Sequence, residues 1–179
     1  MNTEGAPEII EMLCRHMKGK MHIGAGTVTT PERKRTAQAA GAAFIVMPNL
    51  EESVVADCIK HGLPVFPGVL TPTEICRAMD LGCSYVKLFP AGAVPSAYVK
   101  DVLSSLSEVK ALVVGGVNSQ NFGEYLRNGA TGAGIGGSLC KVPPDNDYTL
   151  ITLESQTLIN IYAEHIGGTL ESGAIWGTI

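Results

Sequence analysis

The segment Tyr85-Val86-Lys87-Leu88-Phe89-Pro90 places one lysine inside an apolar run. In a β-strand alternate residues share a face, so Lys87 and Phe89 point one way, Val86 and Leu88 the other. With Val86 and Leu88 against a layer of helices, Lys87 faces the interior, near the C-terminal end of its strand. Desolvation there disfavours the ammonium form and lowers the pKa. It also makes a neutral amine available to attack a carbonyl and form an imine. The alternative is a lysine whose stem reaches out to solvent and does no chemistry.

Two glycine-rich strand ends form a second group, Val113-Val114-Gly115-Gly116-Val117 and Gly134-Ile135-Gly136-Gly137-Ser138. Glycines let backbone N–H groups approach an anion closely, and the Ser138 hydroxyl adds a donor. Two such loops at adjacent strand ends suit a phosphate monoester. Tight turns that need positive φ, with no ligand, are the other reading. A third candidate is Ile23-Gly24-Ala25-Gly26-Thr27-Val28, where alternation puts Ile23, Ala25 and Thr27 on one face. The Thr27 hydroxyl, at the strand's C-terminal end, can hold a carboxylate; a β-branched residue is also simply favoured in strands. Pro48 closes the next apolar run, where proline ordinarily ends a strand.

Other polar residues have local explanations. Glu74 follows Thr71-Pro72-Thr73 at the capping-box position, and Glu51 and Glu52 fall in a first helical turn. His22 begins a strand at the end away from the expected site, while His16, His61 and His165 lie in or beside helices. These spacings predict no metal site. Cys14, Cys58, Cys76, Cys83 and Cys140 lack C-x-x-C spacing and read as free thiols in a reducing compartment.

The elements that must carry these residues alternate. Apolar runs at Met21–Val28, Phe44–Pro48, Pro64–Val69, Tyr85–Pro90, Ala111–Gly116 and Gly132–Ser138 are each followed by a helical pattern. Thr30-Pro31 and Thr71-Pro72 mark helix starts, and Gly41, Gly62, Gly82 and Gly129 mark helix ends. No glycine fingerprint follows the first run, which disfavours a dinucleotide fold. Glycine loops after the last two strands fit a phosphate-binding (β/α)8 TIM barrel, an α/β fold whose such loops follow strands seven and eight. Only six strands are visible, so the first two are expected to be missing. The chain opens on an amphipathic helix over Pro7–Lys18 and closes on one over Tyr148–Ile166. A single domain is expected over 1–166, with a loose tail over 167–179.

Composition narrows the function. Of 179 residues 45% are hydrophobic and 17% charged, and the net charge is −4. Without a basic block, nucleic-acid binding is disfavoured. There is no signal-peptide pattern and no apolar run long enough to span a membrane, so a cytoplasmic protein without membrane contact is expected.

At Lys87-Leu88-Phe89-Pro90-Ala91 the chain resembles the aldolases that cleave 2-keto-3-deoxy-6-phosphogluconate and 2-keto-4-hydroxyglutarate. Gly24-Ala25-Gly26-Thr27-Val28, Pro67-Gly68-Val69 with Thr71-Pro72-Thr73-Glu74, Gly115-Gly116-Val117 and Gly136-Gly137-Ser138 follow in family order. The resemblance runs from about Thr3 to Lys141. It implies a TIM barrel, commonly homotrimeric, with no cofactor or metal, acting on a phosphorylated keto acid and releasing pyruvate. It further implies Lys87 as the Schiff-base lysine, Thr27 as the residue that binds the pyruvate carboxylate, and Pro48 and Phe89 as walls of the pyruvyl pocket. Gly115, Gly116, Gly137 and Ser138 resemble the phosphate cradle.

The family's proton-transferring glutamate precedes the position matched by Asn2, and Glu4 matches a residue opening the next helix. Asn2 stands where many members carry arginine, a slight lean towards the phosphogalactonate branch. The reading that follows is a truncated chain of low turnover and limited stability, with Met1 internal to a longer frame. Another phosphate-binding barrel without imine chemistry, or a non-catalytic remnant associating with intact subunits, are the competing readings.

Overall fold

The structure is a computed structural model that describes residues 1–167; from residue 168 on, the expected tail lies outside the described residues. The described residues fall into two compact units, Met1–Lys87 and the residues from Leu88 onward. The first holds α1 (Ala6–His16), α2 (Pro31–Ala39), β1 (Ile45–Val46), α3 (Glu52–Lys60), β2 (Val65–Phe66), β3 (Gly68–Val69), α4 (Pro72–Asp80) and most of β4 (Tyr85–Leu88). The second holds a 3-10 turn (Ala91–Ala93), α5 (Ser96–Ser105), β5 (Lys110–Val114), α6 (Phe122–Arg127), β6 (Gly132–Gly134) and α7 (Thr149–His165).

In the first unit β1 and β2 are parallel, with Ile45 opposite Val65 and Val46 opposite Phe66. The first apolar run is shorter than its pattern predicts. It contributes a single parallel bridge, Ala25 to Ile45, where the Ala25 N–H donates to the Phe44 carbonyl at 3.0 Å. At its start, Lys20 and Met21 donate back to the Met17 carbonyl and prolong the turn after α1. At its end Thr27 has φ 57°. A β-branched residue in the left-handed region breaks the extended conformation, so strand alternation stops applying at that position.

The third run is also divided, because Pro67 has no N–H to donate to a ladder. Its carbonyl instead accepts from the Lys87 N–H at 2.8 Å, which ties the end of β4 to the junction of β2 and β3. Gly68 lies so close to the preceding strand end that an added Cβ would stand 2.3 Å from the Pro48 carbonyl carbon. The helix signals hold: Thr71 and Glu74 complete a reciprocal capping box on α4, and Thr30 caps α2 by accepting from the Arg33 N–H at 3.2 Å. Gly41, Gly62, Gly82 and Gly129 all have positive φ.

One core feature was not foreseen. Lys34 on α2 is 2% exposed, and its Nζ lies 2.8 Å from the Asp57 carboxylate on α3 and 2.8 Å from Gln38 Oε1. Lys34 holds the Asp57 carboxyl below its usual range by donating that hydrogen bond. A buried ammonium is tolerated when it is paired in this way.

In the second unit β5 and β6 are parallel, with Leu112, Val113 and Val114 opposite Gly132, Ala133 and Gly134. The final run leaves strand conformation after Gly134 and turns, with Leu139 and Cys140 donating to the Gly136 carbonyl. The α7 helix packs on α6 with the Phe122 and Tyr162 rings stacked at 6.4 Å.

Two outcomes follow for stability. Gly68→Ala forces a methyl group into backbone that has no side chain to move aside, and is expected to cost about 1–3 kcal/mol in urea unfolding. Thr27→Asn keeps a polar side chain but suits the left-handed region, so the unfolding midpoint is expected to rise, with a gain of up to about 1 kcal/mol in unfolding free energy. A lower midpoint for Thr27→Asn would show that the backbone stores no strain there.

Candidate active site

In the first unit the strand ends line up. Val28 N–H donates to the Val46 carbonyl at 3.3 Å, Gly68 N–H to the Asn49 carbonyl at 3.3 Å, and Lys87 N–H to the Pro67 carbonyl at 2.8 Å. Thr27, Pro48 and Lys87 therefore stand at C-terminal ends of successive extended segments. Lys87 is 9% exposed, and its strand neighbours Val86 and Leu88 are fully buried. Both faces of β4 are covered, as a strand of a parallel sheet flanked by helices requires. Burial pushes the Lys87 ammonium below the usual lysine range by removing its hydration.

Thr27 is half-buried, and Arg33 holds its backbone. The Arg33 guanidinium Nη1 donates to the Thr27 carbonyl at 3.3 Å and to Thr29 Oγ1 at 3.0 Å. Strained non-glycine backbone concentrates at functional sites, and this strain was invisible in a sequence that reads smoothly as a strand. Arg33 was missed because its role depends on where the left-handed residue turns its carbonyl.

In the second unit Phe89 and the Gly115–Gly116 loop are in contact. A Cβ on Gly115 would lie 3.2 Å from the Phe89 ring, and both glycines have positive φ, 93° and 77°. The Gly92 N–H donates to the Gly115 carbonyl at 2.8 Å, and the buried Tyr125 hydroxyl donates to the Ala91 carbonyl at 3.2 Å. Because Val114 pairs with Gly134, the segments Gly115-Gly116 and Gly136-Gly137-Ser138 leave adjacent parallel strands at the same end. Gly116 and Gly137 are exposed, so their backbone is open to a ligand. Ser138 Oγ is buried and has no hydrogen-bond partner among the described residues. Such an atom fits a position where a bound anion supplies the missing acceptor.

The remaining polar groups agree with their local assignments. Glu74 accepts from the Leu70 and Thr71 N–H groups at 2.9 and 2.8 Å, which holds its carboxyl below the usual range. Glu51 accepts from Ser53 at the start of α3, and Glu52 pairs with Arg77 at 2.6 Å. Among the described residues no group of three or more His, Cys, Asp or Glu is placed to hold a metal ion. No described helix is long and apolar enough to cross a membrane. A largely apolar cleft lined by Ile59, Leu63, Pro64, Phe66 and Tyr85 opens at the start of β2, the end of the strand away from Pro67.

Comparison with known proteins agrees with this arrangement. Residues 1–153 match the family model described as KDPG and KHG aldolase. The 2-dehydro-3-deoxy-phosphogluconate aldolase of Treponema pallidum is 38% identical over 144 residues, which make up 78% of this chain and 68% of that protein. Several other curated relatives are matched over 57% to 59% of their length, so the chain spans less than two thirds of them. The solved native KDPGal structure superposes with a TM-score of 0.84 at 28% identity, covering 93% of this chain and 80% of that one. A KDPG aldolase from Legionella pneumophila, with pyruvate captured as a covalent carbinolamine intermediate, superposes at 0.74 and 28% identity, covering 88% and 78%. The parallel α/β architecture is that of the TIM-barrel family. By its family model and its relatives alike, the chain belongs to the KDPG and KHG aldolase family.

Proposed function

We propose that the chain catalyses, or supplies the lysine for, retro-aldol cleavage of a 2-keto-3-deoxy-6-phospho-sugar acid to pyruvate and glyceraldehyde 3-phosphate. The observation that carries this reading is the burial of Lys87 at the end of β4, which lowers the pKa of its amine. The neutral amine adds to the C2 carbonyl and loses water to form an iminium. When the C3–C4 bond breaks, its electron pair moves into the iminium and forms an enamine. The C4 hydroxyl proton leaves to a base and C4 becomes the aldehyde carbon. The enamine takes a proton at C3, and water then releases pyruvate and restores the amine.

In this reading Thr27 binds the pyruvate carboxylate, and Pro48 and Phe89 wall the pyruvyl group. Gly115, Gly116, Gly137 and Ser138 hold the phosphate, which the solvent-open glycines and the orphaned Ser138 hydroxyl support. The covalent carbinolamine captured with pyruvate in the Legionella pneumophila aldolase supports imine chemistry in this chain. No acidic residue of this chain is assigned the C4 hydroxyl proton. The working protein is a cytoplasmic homotrimer of one domain per chain, over 1–166. Five free thiols support a reducing compartment, and family resemblance supports the trimer.

Borohydride reduction with pyruvate tests the assignment, because trapping needs only the amine and the keto acid. A reduced pyruvate adduct is expected on Lys87 by peptide mass mapping, and none in Lys87→Arg. An adduct on another lysine, or none with phosphate still bound, would replace the imine reading with that of a phosphate-binding barrel of different chemistry. The trapping rate is expected to rise with pH through the lowered pKa of Lys87 and then level off. Its midpoint lies below the range of an exposed lysine, because the neutral amine appears at lower pH. Over the window from that lowered pKa to the usual lysine value the unfolded chain binds more protons at this group. Its contribution to stability therefore rises with pH there.

A further inference from the structure

We infer that Asn121 is a positioning residue that presets the Gly115–Gly116 loop for a phosphate group. The inference rests on the phosphate assignment above and adds a residue to it. Asn121 stands at the N-cap of α6, where asparagine ordinarily turns its side chain onto its own helix, yet it makes no such bond. Instead its Nδ2 donates to the Gly116 carbonyl at 2.9 Å, and its Oδ1 accepts from the Asn118 N–H at 2.9 Å.

The side chain thus forgoes a local role and holds the loop from behind. The carbonyl next along, that of Gly115, is held by the Gly92 N–H. With both glycine carbonyls engaged, each peptide plane has one orientation, although two residues at positive φ would otherwise leave the loop free to change. Since N–H and C=O point oppositely across a peptide plane, the held Gly115 and Gly116 carbonyls fix the Gly116 and Val117 N–H groups on the opposite edge of the loop. Ser119 anchors the same stretch independently. Its N–H and hydroxyl donate to the two Glu154 carboxylate oxygens of α7 at 3.1 and 2.7 Å. That anchor does not touch Gly116, which makes it a control. A loop already in its binding conformation loses less entropy when the anion arrives.

The test is inorganic phosphate titrated into the full chain, followed by the Gly116 and Val117 amide resonances, beside borohydride trapping of pyruvate. In Asn121→Ala the phosphate Kd is expected to rise about tenfold, the effect of one such hydrogen bond on pre-organisation. Pyruvate trapping at Lys87 stays as in the parent, and Ser119→Ala stays within about twofold for phosphate. Asn121→Ser retains a good helix-capping residue but cannot reach Gly116, so it reports the same loss if the alanine variant does not fold. Unchanged phosphate affinity in Asn121→Ser would overturn the inference, as would an equal loss in Ser119→Ala. Failure of the parent chain to bind phosphate at these amides would instead overturn the phosphate assignment on which the inference rests.

Discussion

Two lysines are buried among the described residues, and the ways they are accommodated differ. Lys34 meets the Asp57 carboxylate and the Gln38 amide, and so clamps α2 to α3. Lys87 lies at the end of a strand flanked by fully buried Val86 and Leu88, and the loss of hydration lowers its pKa. Holding that amine out of water constrains its whole neighbourhood. Pro67 presents its carbonyl to the Lys87 N–H because it has no N–H of its own to give to a ladder, and Gly68 lets the neighbouring strand end approach to backbone contact. Larger residues at these positions would push the segments apart and admit water to the amine.

In the proposed function, phosphate recognition falls to backbone and hydroxyl groups. The chain carries net charge −4, and the glycine loops bring no cluster of cations. Backbone N–H groups and a desolvated hydroxyl can hold an anion without the cost of burying further charge. Such recognition depends on geometry, since a glycine loop binds well only when its peptide planes are already oriented. The contacts from Gly92 and Asn121 to the Gly115 and Gly116 carbonyls meet that requirement, with Phe89 packed against Gly115.

Strain is confined to one informative place in the first unit. Thr27 is a β-branched residue at φ 57°, between Gly26 and Val28, where an undistorted strand would cost less. Arg33 bonds its carbonyl and Thr29 and keeps the turn in place. The conformation re-aims a hydroxyl that a regular strand would have directed by simple alternation.

Much of this could be read from residue order because the signals are local. Apolar runs alternating with capped helices define a parallel α/β fold, and the Thr71 to Glu74 capping box depends on residues three positions apart. The burial of Lys87 was legible for the same reason: strand periodicity and apolar neighbours leave few places for its side chain. The family was legible too, since its motifs are short and fall in a set order. Other features were decided only in three dimensions. The first run shrinks to a bridge, Thr27 turns left-handed, Lys34 finds Asp57, and Asn121 reaches back to Gly116 rather than capping its helix. Each depends on the direction of a backbone carbonyl or on a partner brought close by packing. Periodicity along the chain encodes which face a residue takes, but not the orientation of the peptide planes around it.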